Sequence, residues 1–270
     1  MNSGTRRMFF PVQRIIGAIA LTALLVGCAG TTHRSSGDGG PSPGDNQTEN
    51  QRAAQINTEL GVGYMHEGHM DVAVEKIRRA IYFDNNFAPA HHAYALMLNQ
   101  LGETEKAGVE FAKAYALDSN NSDLDNNYAT YLCSQKDYTR AQDLFARAYG
   151  DPLYKTPEFA LTNSGVCYEA QGQRDKAIGQ YKAALVKADG YGPAILGLAR
   201  VYYAAGEFSK AAAAMKNFDL TNRGSPESLQ LAIRIDRATH DQQALANHVL
   251  ILRGRFPDSA VTKWYESGAK

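Results

Sequence analysis

The stretch Thr58-Glu59-Leu60-Gly61-Val62-Gly63-Tyr64-Met65-His66-Glu67-Gly68-His69-Met70-Asp71-Val72-Ala73 carries the pattern that decides the fold. A small residue at Gly61, a bulky one at Tyr64, a glycine at Gly68 and a small residue at Ala73 return in the same order down the chain, about every 34 residues. Units starting at residues 54, 88, 122, 158, 192 and 225 put Gly61, Ala95, Ala129, Gly165, Ala199 and Ala232 at the eighth position. The twentieth reads Ala73, Ala107, Ala141, Ala177, Ala211 and Ala244, and the eleventh is bulky throughout: Tyr64, Leu98, Leu132, Tyr168, Tyr202 and Ile235. Small residues let two helices approach closely, and large ones fill the seam beside them. The fifteenth position holds Gly68, Gly102, Lys136, Gly172, Gly206 and Thr239, and glycine there fits the left-handed conformation that ends helices. Each unit is predicted to be helix, turn, helix, and the fold class all-α.

The six units resemble the tetratricopeptide repeat. That resemblance implies a right-handed superhelical solenoid over residues 52–270, its concave face lined by the first helix of each pair and suited to binding polypeptide segments. Two departures stand out. Position twenty-seven is Ala80, Ala114, Ala148 and Ala184 but then Phe218 and Ile251, which predicts altered packing of the last two pairs. Between units three and four the chain inserts Tyr149-Gly150-Asp151-Pro152, which should lengthen that connection.

The N-terminal part has another character. Residues 1–27 hold Arg6, Arg7 and Arg14, no acid, and the apolar run from Ile15 to Val26, a secretory signal pattern too short for a comfortable membrane span. It ends in Leu25-Val26-Gly27-Cys28, which resembles the lipobox of bacterial lipoproteins, with Cys28 the lipidated residue. The alternative is a plain signal peptide or short anchor with an incidental cysteine. Residues 28–51 are then read as the lipidated cysteine and a tether, because Ala29 to Asn50 contains no aliphatic residue larger than alanine and cannot offset its ordering entropy. Such a tether has a root-mean-square span of about 25 Å. Ala29, not being aspartate, resembles the outer-membrane sorting class, which implies a lipid-anchored protein on the periplasmic face of the outer membrane.

Composition narrows the function classes. Hydrophobic residues at 44% and charged residues at 21% exclude wholesale disorder and a polytopic membrane protein. Lys plus Arg equals Asp plus Glu at 28 each, so nucleic acid is not an expected partner. No Gly-x-Ser-x-Gly, Walker loop or dinucleotide fingerprint appears, so neither an enzyme nor a small-molecule substrate is expected. No metal site is expected either: Gly68 interrupts His66 and His69, while His91 and His92 project about 100° apart on a helix. The only covalent group foreseen is the lipid on Cys28, with no cofactor.

The third unit reads Leu124-Asp125-Asn126-Asn127-Tyr128-Ala129-Thr130-Tyr131-Leu132-Cys133, and the fourth contains Thr162-Asn163-Ser164-Gly165-Val166-Cys167. With the insertion through Asp151-Pro152-Leu153-Tyr154 and the late Arg255-Phe256-Pro257-Asp258-Ser259, these segments resemble the type IV pilus biogenesis and stability lipoproteins of the PilF/PilW family. The resemblance implies an outer-membrane adaptor, a pilotin or stability factor whose partner is the secretin of the pilus. The second reading is a general envelope scaffold that recruits cell-wall or outer-membrane assembly proteins.

Helical periodicity puts the groove at the second, fifth, ninth and twelfth positions of each first helix, including Thr58, Val62, Met65, His92 and Leu96. The apolar members suggest a docking site, unless a neighbouring segment covers them. The ninth positions, Val62, Leu96, Thr130, Val166 and Arg200, contain no asparagine, so a carboxylate clamp of the chaperone-cofactor type is not expected. Asn126 is expected to face the groove with Thr130 and Thr162, and Asn127 to bond backbone groups at the unit seam, the alternative being that both join units. Cys133 and Cys167 fall where equivalent helices face each other, with Cα atoms about 5 Å apart, inside the disulfide window. A bridge is expected, the alternative being two buried thiols.

The leader yields a direct test. Cys28→Ala should release the protein from the outer-membrane fraction, and persistence there through a high-salt wash would show that a lipid on Cys28 is not the anchor.

Overall fold

The computed structural model of the chain describes residues 48–221 and 224–268. The leader, Cys28 and nearly all of the expected tether lie outside the described residues. Among those described are thirteen helices and no strand: α1 (Glu49–His66), α2 (Met70–Phe83), α3 (Ala88–Gln100), α4 (Thr104–Leu117), α5 (Ser122–Ser134), α6 (Tyr138–Gly150), α7 (Pro157–Ala170), α8 (Arg174–Lys187), α9 (Gly192–Ala204), α10 (Phe208–Thr221), α11 (Pro226–Thr239), α12 (Gln242–Arg255) and α13 (Ala260–Glu266). The first twelve form six antiparallel pairs, and α13 packs on α11. Helix begins at Glu49, inside the stretch read as tether. Thr48 accepts from the Gln51 amide while the Gln51 side chain accepts from the Thr48 amide, so a capping box starts α1 three residues before the boundary at 52.

The small residues sit where the repeat needs them. Ala73, Ala107, Ala141, Ala177 and Ala211 are fully buried, as are Ala80, Ala114, Ala148 and Ala184. Opposite the eighth position, the second helix contributes Ile77, Phe111, Phe145 or Tyr181, all essentially inaccessible. Where the facing side chain leaves no room, the eighth residue is glycine: a Cβ on Gly61 would lie 2.6 Å from Ile77, and one on Gly165 would lie 2.7 Å from the Tyr181 ring. Gly197 of α9 closes on the same ring from the next unit, where a Cβ would come within 2.5 Å. The Tyr181 ring is thus held between α7 and α9, locking unit four to unit five.

Left-handed residues end the first helices at Gly68, Gly102, Lys136, Gly172, Gly206 and His240. The last is a correction to the repeat alignment, which put Thr239 there. Downstream of that turn Leu252 is fully buried and the expected core residue Ile251 is exposed, so the second half of unit six runs one residue late. Phe218, in contrast, is buried where the alignment put it, packed with Met215 and Ile235. Beyond α12, α13 lays Val261, Trp264 and Tyr265 against Leu229, Ile233, Val249 and Leu252, covering the outer apolar face of unit six.

The long connection is residues 151–156, against 84–87, 118–121 and 188–191 elsewhere. Tyr149 and Gly150 are the last turn of α6 and not part of the loop. Asp151 fastens it, accepting from Ser122 Oγ at 2.5 Å and from the Leu153 amide at 2.8 Å. Across the same junction a disulfide joins Cys133 of α5 to Cys167 of α7, with a Cα separation of 5.9 Å. Closing this loop contributes about 2 to 4 kcal/mol, chiefly by restricting the unfolded chain.

The Tyr181 clamp makes a sharp expectation. Gly165→Ala drives a methyl into a ring that cannot retreat, because Gly197 backs it and Glu169 holds its hydroxyl. The variant should lose about 1 to 3 kcal/mol in urea unfolding, the range for overpacked cores, and a loss within error of zero would show that the ring has room to move.

Candidate functional site: the inner face of the helix stack

Consecutive first helices, α1, α3, α5, α7, α9 and α11, touch one another, whereas the second helices share no comparable contact among the described residues. A stack closer on one side than the other curves toward that side, so the first helices line the concave face. Repeat register puts the second, fifth, ninth and twelfth positions there.

The structure changes the expected roles of most groove residues. Thr58 is buried, its hydroxyl donating to the Ala54 carbonyl at 2.8 Å, so it offers nothing to a ligand. Val62 and Met65 are half-buried in a cluster with Ala73, Ile77, Ala93 and Met97, and Leu96 packs on the cluster around Phe111 and Tyr128. The apolar side chains of the first two units are therefore largely used in holding those units together. Thr130 is exposed, its hydroxyl donating to the Asn126 carbonyl.

Both asparagines join units, which corrects the division of roles between them. Asn126 is buried, and its Oδ1 accepts from Asn163 Nδ2 of unit four at 3.0 Å. Asn127 Nδ2 lies 3.0 Å from His92 Nε2 of unit two, a bond to a side chain and not to backbone. Deep placement makes the amide of Asn126 costly to leave unpaired, so the neighbouring unit supplies its partner. The threonine in the same register of unit four, Thr162, is buried with no hydrogen-bond partner for its hydroxyl among the described residues.

Apolar exposure on this face lies further along, in unit four. Phe159 is 45% and Val166 47% exposed, at the second and ninth positions of α7. Seven residues apart, they share one helix face two turns apart. The Phe159 ring lies 5.4 Å from that of Tyr191, and Leu196 of α9 is half-buried beside the Tyr202 and Tyr203 cluster. Charge borders this strip: Arg200 grips Glu169 in a two-pronged pair at 2.7 and 2.9 Å, and Glu169 also accepts from the Tyr181 hydroxyl. Burial and the adjacent carboxylate raise the Tyr181 phenol well above the ordinary tyrosine range, so it remains a donor. Phe159 escaped the sequence reading because the second position was not followed into unit four. The Glu169–Arg200 pair had no signal, since its partners are 31 residues apart.

Two interior groups near the face titrate in opposite senses. Burial holds His92 down to about 4, against a smaller opposing pull from Asp123. Burial also pushes the Asp125 carboxyl up to about 6, partly offset by Arg147, whose Nη2 is 3.3 Å from Oδ2. Asp125 Oδ1 is buried with no hydrogen-bond partner among the described residues, which accounts for the direction.

A solenoid of helix pairs with this small-residue seam is a tetratricopeptide-repeat protein, and a family model described as tetratricopeptide repeat matches residues 168–232. The chain is 29% identical over 248 residues to the type IV pilus assembly protein PilF of Pseudomonas aeruginosa, a match covering 90% of this chain and 95% of that protein. The crystal structure of PilW, described as a widely conserved type IV pilus biogenesis factor, superposes with a TM-score of 0.72 at 27% identity, over 78% of this chain and 97% of that one. The structure of Pseudomonas aeruginosa PilF superposes with a TM-score of 0.69 at 26% identity, over 82% of this chain and all of that one. The chain is thus a tetratricopeptide-repeat solenoid similar to PilF and PilW over most of its length.

The paired titrations give a pH signature. Asp125 favours the fold most below its ordinary 3.8 and that contribution is lost as pH rises through about 6. His92 does the opposite, contributing above its ordinary 6.5 and losing that contribution as pH falls toward 4. The stability of Asp125→Asn relative to the parent should therefore grow from pH 4 to 6, and that of His92→Gln should grow from pH 6.5 down to 4. Each change should be on the order of 1 to 3 kcal/mol. Thermal melts running parallel to the parent across the window would show that neither group is shifted.

Proposed function

We propose that this protein is an outer-membrane lipoprotein adaptor for type IV pilus biogenesis, anchored by a lipid on Cys28 and promoting assembly of the pilus secretin by binding it on the concave face. It acts by polypeptide recognition and not by catalysis. The observation that carries the reading is the exposed apolar strip of Phe159 and Val166 on the inner face, bordered by the Glu169–Arg200 pair, in a chain similar to PilF over 90% of its length. A strip of this kind fits an amphipathic segment whose apolar side chains enter the strip while its polar edge meets the flanking charges. The disulfide and the Tyr181 clamp brace α7 on both sides, so the strip is presented on a rigid helix and little ordering entropy opposes docking.

The test separates docking from folding. Phe159→Glu with Val166→Glu changes only exposed side chains and should leave the melting temperature within a few degrees of the parent. It should nevertheless reduce secretin multimers and surface pili toward the level of a deletion strain. Normal multimers and pili in the double variant would remove the strip from the mechanism. Normal multimers in the deletion strain itself would shift the reading to a general envelope scaffold.

A further inference from the structure

The second helices of units one to four each pack on the first helix of the next unit: α2 on α3, α4 on α5, α6 on α7 and α8 on α9. The receiving surface is made by the third, seventh and tenth positions, which share one helix face. Arg78 of α2 donates to the Tyr94 hydroxyl at 3.0 Å, the Phe111 ring of α4 stacks on Tyr128 at 5.5 Å, and Ser164 donates to Gln142 of α6 at 2.6 Å. The third-position residues there, Ala90, Leu124, Ala160 and Ala194, are all buried. In unit one the same three positions are Ile56, Leu60 and Gly63, and they are open: Ile56 is 51% and Leu60 45% exposed. With Tyr64, Glu59 and Glu67 they line a groove of about 460 Å³. It lies on the side of α1 away from Val62 and Met65.

Gly63 and the two acids set this surface apart. Glycine inside a helix is less stable than alanine, and a Cβ on Gly63 would meet nothing within 4 Å, so no contact among the described residues calls for it. Bare backbone beside Ile56 and Leu60 leaves a notch that a visiting side chain can enter. Glu59 and Glu67 occupy the sixth and fourteenth positions, where units two to five carry no charged residue. Arg52, a turn before Ile56, already has a partner. The stretch from Ala29 to Gln47 has no aliphatic residue larger than alanine, so it brings no apolar ridge to the groove. A second copy paired two-fold on α1 would bring the acids of both copies to one surface, and head-to-tail stacking is closed by α13 on the outer face of unit six. A helix with an apolar ridge flanked by lysine or arginine matches both the shape and the charge. We propose that the outer face of α1 receives such a helix from a partner protein, seated on Ile56, Leu60 and the Gly63 notch with its basic residues toward Glu59 and Glu67. It would take the place that a preceding second helix takes in units two to five. This surface is separate from the inner-face strip, and its binding is a property of the purified protein that does not depend on the adaptor role.

The probe is a fluorescein-labelled helical peptide as long as α1, 18 residues, with a leucine ridge and lysine beside it. Its counterparts carry glutamate for lysine, or the same composition scrambled so that the ridge is lost. A peptide of residues 1–27, which joins arginines to an apolar run, tests whether the chain's own leader is the occupant. Fluorescence anisotropy should show saturable binding of the lysine peptide, and binding at least roughly tenfold weaker for the glutamate and scrambled forms. Leu60→Gln and Gly63→Leu should each weaken it roughly tenfold or more, the latter without lowering the melting temperature because its side chain starts in open space. Glu59→Gln with Glu67→Gln should weaken it several-fold and flatten its dependence on salt, while Glu105→Gln on α4 should leave it unchanged. No saturable binding, equal affinity for the glutamate or scrambled peptide, or unaltered affinity in both Leu60→Gln and Gly63→Leu would each overturn the proposal. Tighter binding of the leader peptide would also overturn it, as would a dimer in sedimentation that Leu60→Gln abolishes, by giving the surface to this chain itself. Secretin multimers in the Phe159 and Val166 double variant remain the separate measure of the adaptor role.

Discussion

Everything in this fold depends on how closely the two helices of a unit can approach. At the eighth position the first helix carries hydrogen or a methyl group, and the second helix sends a large side chain into the space. Alanine suffices opposite Phe111 and Phe145, while Ile77 and Tyr181 demand glycine at Gly61 and Gly165. Because interiors are packed at near-crystalline density, a methyl group more or less at this contact changes the separation of the pair and therefore how each pair stacks on the next. Repetition of one contact six times produces the solenoid, and repetition of the same asymmetry produces its concave side.

Variation between units is what makes one part of that side differ from another. Units two to four are joined by polar bonds through their first helices, Asn127 to His92 and Asn163 to Asn126, and then by the Cys133–Cys167 bridge. Units four and five are joined by the Tyr181, Glu169 and Arg200 network. The junction with the longest connection thus carries the covalent cross-link, and beside it lie Phe159 and Val166, the large apolar side chains left open on the inner face of α7. Rigid backing and exposed apolar area in the same place are what a binding surface requires. The interior groups His92 and Asp125 add opposing pH dependences, so the stability of this region varies less between pH 4 and 6.5 than either group alone would allow.

Much of the fold was legible in the chain by itself. Helix pairs, their number, the left-handed turns and the facing of Cys133 toward Cys167 all follow from residue size and a 34-residue period, because helix geometry is local and the same contact recurs at the same spacing. The period stopped being reliable in unit six, where His240 takes the left-handed position and Leu252 the core position one residue late, since a local slip leaves no mark when the neighbouring residues, Thr239 and Ile251, are chemically acceptable.

The binding face was legible only in outline. Periodicity says which side of a helix faces inward, and so it could name Thr58, Val62, Met65, Leu96 and Asn126. It cannot say how much of each side chain its neighbours cover. Thr58 satisfies its own helix, Val62, Met65 and Leu96 fill seams, Asn126 meets Asn163 37 residues away, and the open apolar surface moves to Phe159 and Val166. The sequence by itself therefore determined the repeat, the helix pairs and the inward register, all consequences of contacts within one unit. Only the tertiary structure decided which inward residues remain free, because burial depends on contacts between units that no single period encodes.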